Sequence, residues 1–407
     1  MTSRHVAIAG AGIAGLTVAL CLAQKGLTVS IFETAERLEE VGAGLQISPN
    51  AARVLARIGV LERMGTNAVR PSAITLKDAA TLGTLASVPL GRAAEERWRA
   101  PYVVAHRADL QRALLDVAET VPAITLHRST QVEDALVRDD GATLTVSKKG
   151  QSRLVDCSLL VGADGVWSRL RRLAGGRESS FTGYAAFRTV VSGRAMGDAA
   201  ASAVGGDAVT AFLAPSFHMV AYPVRGGKDI NLVLVARSAK IARGWANAAD
   251  VAYLLEVTRG AAEPLADAIR KAGAWTSWPL HTVDRSTPWT RGGGLALIGD
   301  AAHAITPFAA QGAAMAIEDA AALAELFSGA RNVPAALSRF ERQRKARVER
   351  VARRGSFNRF AWHASGPVAV ARNLVLKYRP QSRLMADLDW LYGHDAEREA
   401  ETAHQSA

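Results

Sequence analysis

The stretch VAIAGAGIAGLTVALCLA, Val6 to Ala23, runs without a charge and carries three glycines that decide what it can become. A secretory leader and a membrane span both tolerate an apolar run of this kind behind a basic start. The glycines argue against both. Gly10, Gly12 and Gly15 keep the spacing G-x-G-x-x-G directly after the strand-like run His5 to Ala9. A helical pattern follows from Leu16 to Lys25 and stops at Gly26, the residue type favoured just past a helix end. A second strand-like run, Leu27 to Phe32, finishes on Glu33, roughly 20 residues beyond the glycines. That strand–turn–helix–strand unit is the context a dinucleotide fingerprint requires. Gly10 permits the tight turn, Gly12 admits a pyrophosphate against the backbone, and Gly15 lets helix and strand lie close. Gly10, Gly12, Ala14 and Gly15 are therefore candidate cofactor contacts at a helix N-terminus whose dipole favours anions. Glu33 can accept hydrogen bonds from a ribose diol and would repel a 2′-phosphate. The run reads as a buried strand and helix.

At 407 residues the chain has room for two or three domains, and its 49% hydrophobic and 21% charged residues suit an ordinary globular protein. The two cysteines, Cys21 and Cys157, stand in apolar stretches far apart, as core residues of a reducing cytoplasm would, so a cytoplasmic location is expected. The histidines show no metal-ligand spacing, so no metal is expected. The net charge of +11 owes much to arginine, above all to RFERQRKARVERVARR, Arg339 to Arg354. No nucleic-acid motif or aromatic interleaving accompanies that run. It reads as a solvated helix whose Glu341 and Glu349 pair with nearby arginines, with neither nucleic acid nor membrane as partner. A positive field would still attract an anionic cofactor or an acidic substrate.

Nucleotide-type elements occur at the start, near residue 160 and again near 300, with a strand-rich middle inserted between them. The expected fold is α/β: a Rossmann-like nucleotide-binding domain, an inserted β-rich domain and a C-terminal helical segment. The expected parts are 1–72, 102–176 and 285–330 for the first, 73–101 and 177–284 for the second, and 331–407 for the third. Asp139-Asp140-Gly141 is a hairpin signal, and GRAAEERWRAP reads as a charged surface connection.

Two further stretches carry chemistry. LLVGADGVWSRLRR ends a buried strand at Asp164, which by itself could simply cap the next helix. LALIGDAAHAITPFAAQGAAMAIEDA puts Asp300 at the C-terminal end of a strand, where open α/β sheets bind ligands. Its loop passes over Pro307, and a helix starts near Gln311 and Gly312, with Ala313 and Ala314 leaving the N-terminus open. Such a helix end suits a delocalised anion such as a reduced flavin ring.

Taken together, G-A-G-I-A-G, G-A-D-G and G-D-A-A-H with a downstream Q-G-A resemble the FAD-dependent aromatic hydroxylases typified by p-hydroxybenzoate and salicylate hydroxylases. The match extends through GAGLQISPNA, HRADL, GYAAFR and HMVAYPVRGG, in the expected order, to about residue 375. The resemblance implies FAD as cofactor, with Glu33 on the adenosine ribose and Arg107 and Asp300 towards the pyrophosphate and ribityl chain. It places Gln311, Gly312 and Ala313 against the isoalloxazine, Pro307 beside its reactive edge, and Asp164 in service of FAD and, indirectly, the nicotinamide donor. It implies a monooxygenase in which NADH or NADPH reduces the flavin, O2 adds at C4a, and the hydroperoxide hydroxylates a small, acidic phenolic or heteroaromatic ring. Ala304 departs from the proline many relatives carry after the histidine, and His303 itself reads as structural. A halogenase or reductase of the same fold, or an inactive FAD-binding regulator, is the alternative; WTSWPL matches the halogenase tryptophan signature only loosely. The assembly expected is a monomer or homodimer.

The substrate side is carried by fewer residues. His218, Val220 and Tyr222 share one face of a strand by alternation, with His218 and Tyr222 about 13 Å apart. The resemblance puts substrate-contacting His and Tyr at these positions; the bland reading is core packing. Arg188, a charge inside the apolar run AAFRTVV, would need an anionic partner if buried, either a substrate carboxylate or a protein one.

Overall fold

The computed structural model describes residues 4–38, 43–192, 195–239, 244 and 247–405. Gly42, the first residue of the GAGLQISPNA stretch, lies outside them. His5–Ala9 is a central strand, apolar on both faces, flanked in parallel by Thr28–Phe32 and Leu159–Gly162. Ile124–His127 and Leu295–Leu297 extend this sheet in parallel, and the two-residue strand Thr290–Arg291 closes one edge antiparallel. A parallel sheet covered on both faces needs such uninterrupted apolar strands. The helix Ile13–Gln24 is buried around almost its whole circumference because it packs against the helix Gly312–Ser328 as well as the sheet. That explains an apolar segment that imitates a membrane span. Among the described residues, no helix is long and apolar enough to cross a membrane. Cys21 is buried in this helix and Cys157 is partly buried.

The strand-rich middle forms an eight-stranded sheet in the order Asn247–Ala248, Thr276–Thr282, Ser180–Ser192, Asp229–Arg237, Phe217–Val224, Val209–Leu213, Ala73–Asp78, Thr84–Pro89. Alternation makes this sheet two-faced. Phe217, Met219 and Ala221 join Phe187, Leu232 and Leu234 in a core closed by the helices Asp198–Val204 and Glu263–Lys271. The opposite face carries His218, Val220 and Tyr222, of which Tyr222 and Val220 pack with the core around the parallel sheet. A hairpin turn at Asp139-Asp140 joins Gln131–Arg138 to Gly141–Lys148, the central strand of a three-stranded sheet whose other edge is Gln151–Cys157.

Two expectations are corrected. GRAAEERWRAP is not a mere connection: Arg92–Trp98 is helical, because Ala94 and Trp98, four residues apart, share a buried face. The Trp98 indole donates to Asp389 Oδ1 at 2.8 Å and meets the Tyr392 ring edge-on. The late basic run lies in the long helix Val333–Trp362 but is not a solvated face throughout. Lys345–Glu341 and Arg353–Glu349 do form surface pairs, whereas Arg344 and Arg347 point inward and are 1% and 7% exposed. They meet Glu318 and Asp319, two buried acids in the alanine-rich helix Gly312–Ser328. Burial alone would raise both carboxyl pKa values. The guanidiniums of Arg347 and Arg344 outweigh it at Glu318, and His303 with Arg344 outweighs it at Asp319, so both stay below the usual carboxylate range.

Arg344→Ala should therefore cost about 3–5 kcal/mol by leaving buried charge uncompensated, whereas exposed Arg342→Gln should change stability by less than about 0.5 kcal/mol. Because folding lowers the carboxyl pKa values, the benefit is complete above about pH 5 and fades as pH falls towards the folded-state values. Urea unfolding of the three proteins at neutral and acid pH checks this; equal losses for the two arginines would contradict it.

Candidate active site

A cleft of about 500 Å³ opens where the strands His5–Ala9, Thr28–Phe32 and Leu159–Gly162 end. Gly10, Gly12, Glu33, Arg107, Asp164 and Trp278 are among its walls. Each glycine of the turn has its own reason. Gly10 sits at φ +102°, and a Cβ there would stand 2.5 Å from the Ala163 carbonyl oxygen. A Cβ on Gly15 would overlap the Gly10 carbonyl oxygen. Gly12 is different: its φ of −75° suits any residue, and a Cβ there would meet nothing within 4 Å. The space in front of Gly12 is cleft, at the start of the helix Ile13–Gln24, and that is room for a pyrophosphate.

Glu33 is locked in the wall of this cleft. Its Oε2 accepts from the Ala11 amide and its Oε1 from the Ala35 amide, both at 2.8 Å. Arg107 opens the helix Arg107–Glu119. Asp164 does act as a cap: Oδ2 accepts from the amides of Arg169 and Leu170 at 2.9 and 3.3 Å. Its Oδ1 is buried and has no partner among the described residues. One carboxylate thus has an oxygen for the fold and one to spare. Arg171, which the sequence does not single out from its neighbours, ties the loop after Leu159–Gly162 to the one after Leu295–Leu297. Its guanidinium donates to the carbonyls of Val166, Asp300 and Ala301 at 2.7–3.0 Å.

The remaining predicted cofactor contacts are not among the residues that line this cleft. Asp300 is exposed and begins the short helix Asp300–His303 after Gly299, whose neighbours include the Ala14 methyl. Pro307 starts the single turn Pro307–Ala309. Gln311 is buried: its Nε2 donates to Ser48 Oγ at 2.9 Å, and its Oε1 accepts from Asn50 Nδ2 at 3.2 Å. Asn50 Nδ2 also donates to Glu318 Oε1 at 2.6 Å, and Asp319 Oδ2 accepts from the Gly299 amide at 2.9 Å. The same Asp319 oxygen holds His303 Nε2 at 2.5 Å. Gly312 and Ala313, partly exposed, open the helix above this network. Sequence reasoning missed Ser48, Asn50 and the acid pair; two adjacent acids in a run of alanines were the available signal.

Strand register fixes the substrate-side candidates. Arg188, Val233 and Val220 are paired across three strands and so share a face, as do Tyr222 and Asn231, and His218, Val235 and Ala186. Arg188 therefore lies level with the midpoint between His218 and Tyr222, about 10 Å to the side. Its guanidinium carbon stacks 4.7 Å from the Trp278 ring centroid. Its Nε is enclosed without a hydrogen-bond partner among the described residues. Burial pulls its pKa down to about 10, with Tyr222 opposing and Arg107 adding to the effect. Tyr222 is 2% exposed, and burial raises its phenol above the usual range. A Cβ on Gly44 would run into the Tyr222 ring and Asn231, so glycine is what lets that segment close over this face. His218, also 2% exposed, packs on Phe308, the residue after Pro307, with ring centroids 5.2 Å apart. Burial lowers its pKa to about 3.

Residues 3–355 match the FAD binding domain family. The chain is 31% identical over 393 residues to 3-hydroxybenzoate 6-hydroxylase 1 of Aquipseudomonas alcaligenes, covering 96% of this chain and 98% of that one. It is 34% identical over 404 residues to a 3-amino-4-hydroxybenzoate 2-monooxygenase of Streptomyces platensis, covering 96% of each. The fold superposes on a salicylate hydroxylase substrate complex with a TM-score of 0.81, at 24% identity over 98% of both chains.

The glycines separate folding from cofactor binding. Gly12→Val should leave the apoprotein as stable as wild type, because its side chain enters open cleft, yet abolish retention of FAD. Gly15→Val should impair folding itself. Apoprotein melting and FAD content after desalting check the pair; a Gly12→Val protein with full FAD would refute the assignment.

Proposed function

The chain belongs to the FAD binding domain family, as an aromatic monooxygenase, and from that membership we propose that it hydroxylates a small acidic phenolic or heteroaromatic compound with O2 and NADH or NADPH, in the cytoplasm. On this reading residues 1–72, 102–176 and 285–330 form the FAD-binding part and 73–101 with 177–284 the substrate part. The observation that carries the substrate class is Arg188. It is a guanidinium on an apolar sheet face, stacked on Trp278 and with no carboxylate paired to it among the described residues. A buried cation of this kind is stabilised by an anionic ligand, and guanidinium–carboxylate pairing fixes orientation as well as charge. The hydroxybenzoate substrates named for the relatives carry such a carboxylate.

Bound FAD supplies the electron transfer and the activation of O2. The chain does the rest. Glu33 and the glycine turn hold the dinucleotide, and Gln311, fixed by Ser48 and Asn50, sets the position of the Gly312 helix terminus. Arg188 orients the ring by its carboxylate. Tyr222 and His218, at opposite ends of the same face, line the site and help remove the phenolic proton. The Pro307–Phe308 turn and the Gly44 segment exclude water.

A panel of hydroxybenzoates and hydroxypyridines should reveal one compound that stimulates NAD(P)H oxidation and is recovered hydroxylated. Arg188→Met should then raise KM for the carboxylated substrate by about 10–100-fold, the worth of a charged hydrogen bond, with FAD content and uncarboxylated phenols little affected. Tyr222→Phe and His218→Ala should still consume reductant but give more hydrogen peroxide and less product, since a positioned base contributes about 10²–10⁴-fold. Unchanged coupling and affinity in all three variants would return these residues to the core.

A further inference from the structure

The His218 ring continues into a second imidazole. Its Nδ1 lies 3.1 Å from Nε2 of His363, which ends the long helix Val333–Trp362. Phe308 and Trp362 pack around His218 at 5.2 and 5.0 Å between centroids, so its own route to water is closed. His363 is partly exposed. We propose that His363 relays the phenolic proton of the substrate from His218 to solvent, and back again. This rests on the reading of His218 as the group that takes that proton.

The proton count closes. A neutral imidazole accepts at one nitrogen and donates at the other. On substrate activation the phenol O–H breaks and His218 Nε2–H forms. The Nδ1 proton of His218 passes to His363 Nε2, and the Nδ1 proton of His363 passes to water. Both rings are now neutral in the opposite tautomer. When the hydroxylated product regains its phenolic proton from His218 Nε2, the same chain runs inward and both rings return to their starting tautomers. No ring has to flip, and one proton leaves and one returns per turnover.

The surroundings favour passage over storage. The titratable and charged groups facing the pair are Tyr184 from the strand Ser180–Ser192, Arg237 from Asp229–Arg237 and Arg359 from the long helix. Burial lowers His363 to about 4, with Arg359 and Arg237 adding to the shift. Neither ring is stable as a cation at neutral pH, so a proton arriving at one nitrogen must leave from the other. In this relay His363 acts only through His218, so it is a positioning residue for proton transfer.

The test tracks protons rather than turnover. Oxidised holoenzyme is mixed with whichever of 3-hydroxybenzoate and 3-amino-4-hydroxybenzoate it binds, in weak buffer with an indicator dye, and phenolate absorbance and proton release are recorded across about pH 6–9. His363→Gln, which keeps a hydrogen-bonding partner for His218 but cannot relay, should slow both signals at least about 10-fold with unchanged FAD content. His363→Ala should be slowed as well and should recover with added imidazole. Wild-type rates in His363→Gln, or a slowed His363→Ala that imidazole does not restore, would overturn the relay. If His363→Gln is fast while His218→Gln is slow, the relay falls and His218 remains the base. If both are fast, or neither compound binds, the reading of the site falls with it.

Discussion

Taking two adjacent carboxylates out of water costs several kcal/mol each unless every lone pair finds a partner, and Glu318 and Asp319 are both fully buried. Their partners come from three other parts of the chain. Arg344 and Arg347 descend from the long helix, Asn50 comes from the segment after the Gly44 strand, and His303 and the Gly299 amide come from the loop before the helix. Arg347 also donates to the carbonyls of Trp390 and Leu391, which brings in the C-terminal segment. The cluster therefore fixes the helix Gly312–Ser328 and the loop that precedes it. Through Asn50 it also fixes Gln311. Charge buried at this cost gives specificity of position, which a core of interchangeable alanines could not.

The eight-stranded sheet solves a different problem. One face is an ordinary apolar core; the other carries Arg188, His218, Tyr222 and Asn231 on an otherwise largely apolar surface. Polar groups in that setting are expensive. Asn231 recovers part of the cost by accepting from the Gly44 amide at 2.6 Å, and His218 recovers part through His363. Arg188 has the Trp278 face and no paired acid among the described residues. The least satisfied group on this face is the one best suited to an acidic ligand.

Much of the architecture was legible because it rests on local rules. The Gly10–Gly15 spacing, the apolar strand before it and Glu33 after the second strand come from turn sterics and short-range periodicity, and the structure places Ala9, Gly10, Gly12 and Glu33 around one cleft. The run Arg339–Arg354 misled because helical charge patterns look alike on either side of a helix. Arg342 is exposed and Arg344 buried, two residues apart, for reasons that lie in another helix. The charged stretch around Trp98 misled in the same way, since its partners Asp389 and Tyr392 are almost three hundred residues distant.

Residue order alone was enough for the fold class, the dinucleotide turn and the alternation that puts His218 and Tyr222 on one face. These depend on dihedral limits and on the periods of helix and strand, which act within a few residues. It took the packed chain to establish that Arg188 lies level with the gap between those two side chains, that Asp164 caps a turn with Oδ2 while Oδ1 is buried with no partner among the described residues, and that His363 meets His218. Those outcomes depend on strand register and helix docking, which are set by the burial of surfaces far apart along the chain and leave no periodic trace in it.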